Sequence, residues 1–194
     1  MPEPKPSKTL LRSALRLRRQ ALSTEEQLAA AQAVTYFIAT LQGWPEANRI
    51  ALYLAADGEV DTTPLSDLAR TMDKQLFLPV IQHDNSLSFA AWHRDDTLST
   101  NRFGIPEPPA TARRCPANDL DIVFLPVVGW DAQGGRLGMG GGFYDRTLSG
   151  ISGPLLVGLA HTNQKVDHIP REKWDIPLNF IATDTALHRS QGAI

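Results

Sequence analysis

The spacing of apolar residues over the first forty positions is that of two consecutive helices. The apolar positions of the first segment recur every three or four residues: Leu11, Ala14, Leu15 and Leu22. Ser7 is a helix-capping residue type and precedes this segment, which predicts a basic N-terminal helix over about residues 8–22. Ser23 and Glu26 have the spacing of a capping box, which predicts a second, Ala-rich helix that ends near Gly43.

Beyond residue 48 the pattern changes to short apolar runs separated by turns and helices. Strands are predicted at residues 49–55, 75–82, 87–92, 121–128, 155–160 and 180–183. Thr63 followed by Pro64 is typical of a helix start and predicts a helix to about Met72. A further helix is predicted over residues 144–148. Residues 95–119 have no clear period and are predicted to form a loop.

This order of elements indicates the fold class. The run over residues 121–128 is continuously apolar, which is typical of a strand buried on both faces of a parallel sheet. Strands that alternate with helices predict an α/β fold with three layers, a mostly parallel sheet and flanking helices. The length of 194 residues suits one domain, so residues 1–194 are expected to form a single α/β domain.

Composition narrows the classes of partner. Apolar residues make up 42% of the chain and charged residues 21%, with a net charge of −2, which excludes a broadly basic nucleic-acid binder. The single cysteine, Cys115, cannot form an intramolecular disulfide. No apolar run reaches the roughly 18 residues that a membrane span needs. We therefore expect a cytoplasmic monomer without nucleic-acid or membrane partners.

The positive charge is concentrated at the N-terminus. Residues 1–20 contain six basic side chains and one acidic side chain, a net charge of +5. Four of the basic residues step by four, four and three and share one helix face: Lys8, Arg12, Arg16 and Arg19. Such a face is commonly solvated, and contact with a phosphate group is the alternative. The residues alone leave both interpretations open.

Glycine is also concentrated, with six of the fourteen glycines between Gly134 and Gly142. They follow the buried strand over residues 121–128 and precede a helix, where exposed backbone N–H groups bind phosphate. Arg136 adds a cation. The pattern favours a phosphate site, and a flexible hairpin or a set of tight turns is the alternative. Neither familiar phosphate loop fits, because this region lacks a lysine and Phe143 stands where a dinucleotide fingerprint has its third glycine.

These residues carry a resemblance to a known family. The stretch from Arg136 to Arg146, RLGMGGGFYDR, closely resembles the signature of the 5-formyltetrahydrofolate cyclo-ligase family. Four further segments resemble family motifs in the same order, over about residues 8–184. They are Lys8-x-x-x-Arg12, Glu59-Val60-Asp61-Thr62, Gly104-Ile105-Pro106-Glu107-Pro108 and Trp174-Asp175-Ile176-Pro177-Leu178.

The resemblance implies a reaction and a fold. It implies that 5-formyltetrahydrofolate is cyclised to 5,10-methenyltetrahydrofolate, with ATP as co-substrate and Mg²⁺ as cofactor, and that ADP and phosphate are released. The implied intermediate is a phosphorylated formyl group, an iminium phosphate. The implied architecture is Rossmann-like, of the NagB/RpiA/CoA-transferase-like type. No acid or base is assigned, and Lys8 and Arg136 are expected to stabilise phosphate charge.

The resemblance also implies three sets of site residues. For ATP they are Lys8, Thr9, Leu10, Leu11, Arg12, Arg136, Leu137, Gly138, Met139, Gly140, Gly141, Gly142, Phe143 and Tyr144. For the folate they are Leu54, Glu59, Met139, Gly140, Gly141, Gly142 and Phe143. For the metal they are Asp145 and Asp175. Asp145 has the helix dipole as an alternative partner, and an ordinary loop acid is the alternative for Glu59.

Two rival functions use the same scaffold. One is a non-catalytic nucleotide or sugar-phosphate binding module. The other is a CoA-transferase-like enzyme with a carboxylate nucleophile, for which Glu59 or Glu107 would be candidates. The joint presence of Lys8, Arg12, Glu59 and the glycine motif favours the ligase.

Overall fold

The computed structural model describes residues 7–191, which contain four helices that begin close to the predicted positions. Ser7 caps the first helix by accepting a hydrogen bond from Leu10 N, and the capping box of Ser23 and Glu26 is formed. No helix in residues 7–191 is long and apolar enough to cross a membrane. The helices are α1 (Lys8–Gln20), α2 (Thr24–Ala39), α3 (Thr63–Thr71) and α4 (Phe143–Leu148).

Twelve strands form one large sheet and two small hairpins. They are β1 (Arg49–Ala51), β2 (Gln75–Ile81), β3 (Leu87–Ala91), β4 (Ser99–Thr100), β5 (Pro106–Glu107), β6 (Arg114–Cys115), β7 (Ile122–Pro126), β8 (Gly129–Trp130), β9 (Arg136–Leu137), β10 (Leu155–Leu159), β11 (Phe180–Ala182) and β12 (Leu187–Arg189). The large sheet has the order β12-β11-β10-β7-β1-β2-β3-β6. The pairs β4-β5 and β8-β9 form the hairpins.

The centre of the large sheet is parallel, which confirms the predicted fold class. Strands β11, β10, β7, β1 and β2 run parallel, and antiparallel strands complete both edges. Ile50 of β1 is paired with Leu76 of β2 on one side and with Ile122 of β7 on the other. The chain therefore changes its direction of progress across the sheet between β1 and β7. Loops that follow two such strands diverge and leave a crevice at the carboxyl edge.

Side chains of the parallel strands point alternately into two cores, which gives the predicted three layers. Ile50 belongs to the core under α2 and α3, whereas the next residue, Ala51, belongs to the opposite core, which Leu148 of α4 helps to close. Helix α1 lies elsewhere, across the carboxyl edge of the sheet. There the fully buried Leu15 packs with Leu137 in a small third core. The N-terminal helix is thus fixed beside the crevice.

Several boundaries differ from the prediction because strand length depends on partners. The strand predicted over residues 49–55 is shorter in the structure and ends at Ala51. The chain then enters the loop at the carboxyl edge of the sheet. Residues 95–119, predicted as a loop, contain β4, β5 and β6. The hairpin β8-β9 and the edge strand β12 were not predicted, since two or three residues display no period. Ala14, assigned to the apolar stripe of α1, is exposed.

Candidate active site

The basic face of α1 lies against the protein, with each of its four side chains bonded. Arg12 donates from Nε to the carbonyl of Gly138 at 2.7 Å, which joins α1 to residues 138–142, here called the glycine loop. Lys8 Nζ lies 2.9 Å from Asp175 Oδ2. Arg16 and Arg19 both contact Asp57. The shared face is confirmed, and exposure along it differs: the Arg19 side chain is fully buried, whereas that of Arg16 is 41% exposed.

The six clustered glycines divide into two groups with different roles. Gly134 and Gly135 form the turn of the β8-β9 hairpin, where Asp131 Oδ1 accepts a hydrogen bond from Gly135 N at 2.7 Å. A Cβ at Gly134 would lie 2.5 Å from Ser190 Oγ, so this glycine is required by packing. For this first pair the tight-turn interpretation is correct. The remaining four glycines form the glycine loop.

The glycine loop is shaped by its backbone and covered on one side by α1. Gly140 has φ +105°, a conformation that favours glycine, and a Cβ there would lie 3.5 Å from Arg12 Cζ. Gly142 has φ +66° and is the N-cap of α4. The loop backbone therefore passes directly under a guanidinium group and leads into a helix N-terminus, two features that favour an anion.

Aromatic and apolar side chains line the outer side of the glycine loop. The ring of Phe143 packs so closely on Gly141 that a Cβ there would lie 2.4 Å from a ring carbon. Phe103, on the turn between β4 and β5, meets the Phe143 ring edge-on at 6.2 Å between centroids. Met139 is 53% exposed beside them. The structure thus presents an apolar wall next to the loop.

The two carboxylates assigned to a metal are linked through the backbone at Ile176, the residue that follows Asp175 and donates to Asp145. Asp145 Oδ1 accepts hydrogen bonds from Ile176 N at 3.0 Å and from Arg136 at 2.6 Å. Burial opposes ionisation of Asp175, but hydrogen bonds from Glu172 N and Lys8 outweigh it and lower its pKa. No group of three or more His, Cys, Asp or Glu side chains in residues 7–191 is arranged to hold a metal. Two carboxylates are nevertheless a suitable protein share for Mg²⁺, which keeps several waters and binds phosphate oxygens.

Arg136 links three parts of this region. Its side chain is 6% exposed and donates to Asp145 and to the carbonyl of Ile176. It thereby ties β9 to α4 and to the segment after Asp175. Its charge is paired with Asp145 and also helps to lower the pKa of Asp175.

Glu59 follows β1 on the other side of the crevice. Its Oε2 accepts a hydrogen bond from Ala56 N at 3.1 Å, and Oε1 lies 3.8 Å from Arg19. The side chain is 13% exposed, and burial raises its pKa. Glu59 is therefore a largely enclosed acid at the switch between β1 and β7, and the ordinary exposed loop acid does not describe it.

Comparison with known proteins identifies the family. The sequence pattern of the 5-formyltetrahydrofolate cyclo-ligase family matches residues 4–184. The chain belongs to this family. A cyclo-ligase of Haemophilus influenzae is 39% identical over 173 residues, which cover 87% of this chain and 92% of the relative. The Escherichia coli K12 cyclo-ligase is 38% identical over 174 residues, covering 87% and 96%.

Solved structures agree with this assignment to the cyclo-ligases. The NMR structure of Aquifex aeolicus 5,10-methenyltetrahydrofolate synthetase superposes with a TM-score of 0.83 at 33% identity, covering 96% of this chain and 94% of that one. A 5,10-methenyltetrahydrofolate synthetase from Mycoplasma pneumoniae gives a TM-score of 0.76 at 25% identity, covering 92% and 99%. The protein is thus an enzyme of the cyclo-ligase class.

Not every residue assigned to the cyclo-ligase site lies beside the glycine loop. Leu10 is 67% exposed and Thr9 is exposed, whereas Leu11 packs in the small core with Leu15. Leu54 is half-buried against the core under α2 and α3. Tyr144 packs against the opposite core, where burial raises the pKa of its hydroxyl.

Glu107 and three further side chains of this cyclo-ligase are bonded or packed within the protein. Glu107 Oε1 accepts hydrogen bonds from Ile81 N and Asn101 Nδ2, both at 2.8 Å, and so holds the β4-β5 hairpin to β2. Trp130 is 1% exposed, and Trp92 lies at the amino end of β2 under the guanidinium of Arg70. Cys115 is buried, and burial raises its pKa.

Sequence reasoning missed two buried residues around Glu59. Arg19 is completely buried, although a basic residue in a basic helix is expected to face water. His161 follows β10, is 2% exposed and contacts the Gly58 carbonyl through Nε2 at 3.1 Å. Neither position carries a sequence signal, because the groups that satisfy them come from distant segments.

Proposed function

We propose that this protein converts 5-formyltetrahydrofolate to 5,10-methenyltetrahydrofolate in a reaction that requires ATP and Mg²⁺. The proposal rests on one observation above all. Three segments far apart in sequence meet where β1 and β7 diverge: the basic face of α1, the glycine loop and the Glu59 loop. A module that only binds a nucleotide would need α1 and the glycine loop alone. The enclosed carboxylate of Glu59 can bind a second ligand.

The proposed nucleotide side consists of the glycine loop and α1. Backbone N–H groups of the loop and the N-terminus of α4 favour phosphate oxygens, while Lys8 and Arg12 supply charge from the helix. Arg136, two residues before the loop and paired with Asp145 of α4, is proposed to stabilise phosphate charge as well. The apolar and tyrosine side chains assigned to ATP beyond these groups are proposed only as surroundings.

Asp145 and Asp175 would hold the Mg²⁺ ion. Both carboxylates face cations in this structure, Arg136 and Lys8 respectively, so local charge is already balanced there. When bound, the ion supplies further neutralisation of phosphate charge. Lys8 is paired with Asp175 and lies one helical turn from Arg12, which bonds the glycine loop, and this suits a cation that moves from carboxylate to phosphate.

The proposed folate side consists of Glu59 and the apolar wall. A pterin ring has adjacent N–H donors, and an ionised carboxylate accepts two of them in parallel. Met139 and Phe143 supply apolar surface for the ring systems, together with Leu54 on the Glu59 side. Enclosure of Glu59 strengthens such hydrogen bonds because the local dielectric is low.

In the proposed reaction the main role of the protein is to position the folate and ATP. The formyl oxygen attacks the γ-phosphorus of ATP and ADP departs, which turns a poor leaving group into a phosphate ester. N10 then attacks the activated carbon, the N10 proton is released, and inorganic phosphate leaves with the formyl oxygen. The protein aligns the two ligands and excludes water from the activated carbon, so no side chain is assigned as acid or base.

The direct test is formation of methenyltetrahydrofolate, followed by absorbance, from 5-formyltetrahydrofolate, ATP and Mg²⁺. We expect ATP-dependent product that is abolished by EDTA and restored by added Mg²⁺. Folded enzyme that gives no ATP-dependent product would overturn the proposal in favour of a binding module.

Variants test the assignment of the two sides. Lys8→Ala and Arg136→Ala are expected to raise the KM for ATP, and Glu59→Ala the KM for the folate. Arg18→Ala is the matched control for Lys8→Ala, since Arg18 is an exposed basic residue of the same helix. A Glu59→Ala enzyme altered only in its ATP dependence would contradict the assignment.

A further inference from the structure

The loop that carries Glu59 is fixed by an arginine that the nucleotide side does not use. Arg19 donates from Nε to the Asp57 carbonyl at 2.7 Å, and its Nη2 lies 2.8 Å from Asp57 Oδ2. Its Nη1 contacts the carbonyl of Val127, the residue after β7, at 3.4 Å. One buried guanidinium therefore contacts the chain just after both strands that border the crevice.

Packing holds the same loop from two further directions. Asp57 has φ +53° and Gly58 φ +76°, so the chain turns sharply here. A Cβ at Gly58 would lie 3.2 Å from the Arg19 carbonyl oxygen, which shows how closely the loop packs on α1. On the other side His161 contacts the Gly58 carbonyl. The loop is thus enclosed between α1 and the segment after β10.

Two carboxylates form ion pairs with Arg19, and only Asp57 is also hydrogen-bonded to it. Asp57 accepts hydrogen bonds from Arg19, Arg16 and Gln20, and these lower its pKa to about 2. Glu59 lies 3.8 Å from the same guanidinium and receives no side-chain hydrogen bond from residues 7–191. A buried arginine needs a counter-charge, and Asp57 supplies it.

We propose that Asp57 and Arg19 are positioning residues for the folate: Asp57 occupies the guanidinium of Arg19, so that the Glu59 carboxylate remains open to the substrate. This inference rests on the proposed function. Without the charge of Asp57, Glu59 is the nearest carboxylate to a fully buried cation. Its 3.8 Å ion pair with Arg19 then closes to a direct hydrogen bond, and the carboxylate no longer accepts hydrogen bonds from the pterin.

The test is Asp57→Asn, which keeps the size of the side chain and tolerates the left-handed backbone. The KM for 5-formyltetrahydrofolate is expected to rise about tenfold and the KM for ATP less than twofold. The matched control is Asp73→Asn, an exposed aspartate with φ +56°. Arg19→Lys is the second variant, expected to have the same selective effect, and thermal unfolding monitors folding of each.

Two readouts separate positioning from a general structural role. In a Glu59→Gln enzyme the Asp57→Asn change is expected to alter the folate KM less than twofold, because the group it acts through is absent. The acid limb of kcat/KM for the folate is expected to move to lower pH in Asp57→Asn, since Glu59 loses a neighbouring negative charge and comes closer to Arg19.

These experiments distinguish failure of the positioning role from failure of the proposed function. A wild-type enzyme without ATP-dependent product removes the proposed function itself. An active wild type with an unchanged folate KM in Asp57→Asn overturns only the positioning role. Equal rises in both KM values, or an effect that is fully additive with Glu59→Gln, would also overturn it.

Discussion

Two groups of glycines lie within one nine-residue stretch, and their surroundings in the structure differ. Gly134 and Gly135 are surrounded by protein atoms, and a Cβ at either would lie within 2.5 Å of another side chain. At Gly138 a Cβ would meet no atom of the described chain within 4 Å, apart from its neighbours in sequence. Glycine is required at both positions of the first group because neighbouring side chains leave no space for a Cβ atom. In the second group, Gly138 leaves room that the described protein does not fill, Gly140 lies under Arg12, and Gly141 lies under the ring of Phe143.

This difference predicts that substitutions in the two groups of glycines change different properties of the protein. Substitution in the hairpin turn is expected to lower stability, and substitution in the glycine loop to lower catalysis.

The largest effect is expected for Gly134→Ala. The residue has φ +79°, and its Cβ would lie 2.5 Å from Ser190 Oγ and 2.7 Å from the Leu178 carbonyl. Backbone strain and overpacking together should lower the free energy of unfolding by about 3 kcal/mol. Urea denaturation measures this. A loss below about 1 kcal/mol would show that the turn adapts and that the packing argument is wrong.

Gly140→Ala is expected to affect catalysis more than stability. The φ of +105° is strained for alanine, and the new methyl group would press on the Arg12 guanidinium at 3.5 Å. We expect kcat/KM for ATP to fall about 100-fold, with about 1 kcal/mol lost in unfolding. Steady-state kinetics and denaturation of the same preparation test both figures. Unchanged kinetics would remove the glycine loop from the nucleotide site.

Arg12→Lys tests the contact between α1 and the glycine loop without changing any glycine. Lysine keeps the charge but cannot reproduce the Nε hydrogen bond to the Gly138 carbonyl at 2.7 Å. The KM for ATP is expected to rise about tenfold, with the folate KM unchanged. Arg18→Lys on the exposed side of α1 is the control. A rise of the same size in the control would point to helix charge in general.

The smallest effect on stability is expected for Gly138→Ala. Its φ is not in the left-handed region and its surroundings are open, so the free energy of unfolding should change by less than about 0.5 kcal/mol. Any loss of turnover in this variant then reports contact with a ligand. A large loss of stability would mean that both glycine groups are structural.

Local pattern was sufficient to predict the layers of the fold. The capping residues Ser7 and Ser23 start the first two helices as expected, and the apolar run after Asp121 forms the central strand β7. Alternation of strands and helices gave the parallel sheet. These features are encoded by neighbours in sequence, so one sequence is enough to read them.

The details of the site depended on contacts between distant segments. Gly134 and Gly140 look alike in sequence, and only Ser190 and Arg12, brought in by the fold, distinguish them. Arg19 belongs to a stripe that is typical of a solvated helix face, yet it is buried because Asp57, 38 residues away, supplies its acceptors. Burial of a charge is decided by its partners, which sequence spacing does not reveal.

The bond between Lys8 and Asp175 also sets an order of events during synthesis. Its two residues are separated by 167 positions, so the first helix leaves the ribosome long before its carboxylate partner exists. At typical elongation rates that interval is roughly 10–30 s. The glycine loop, α1 and the Asp175 segment are assembled only when nearly the whole chain is available. A nascent or truncated chain that ends before Asp175 would therefore lack the carboxylate that holds Lys8 in this fold.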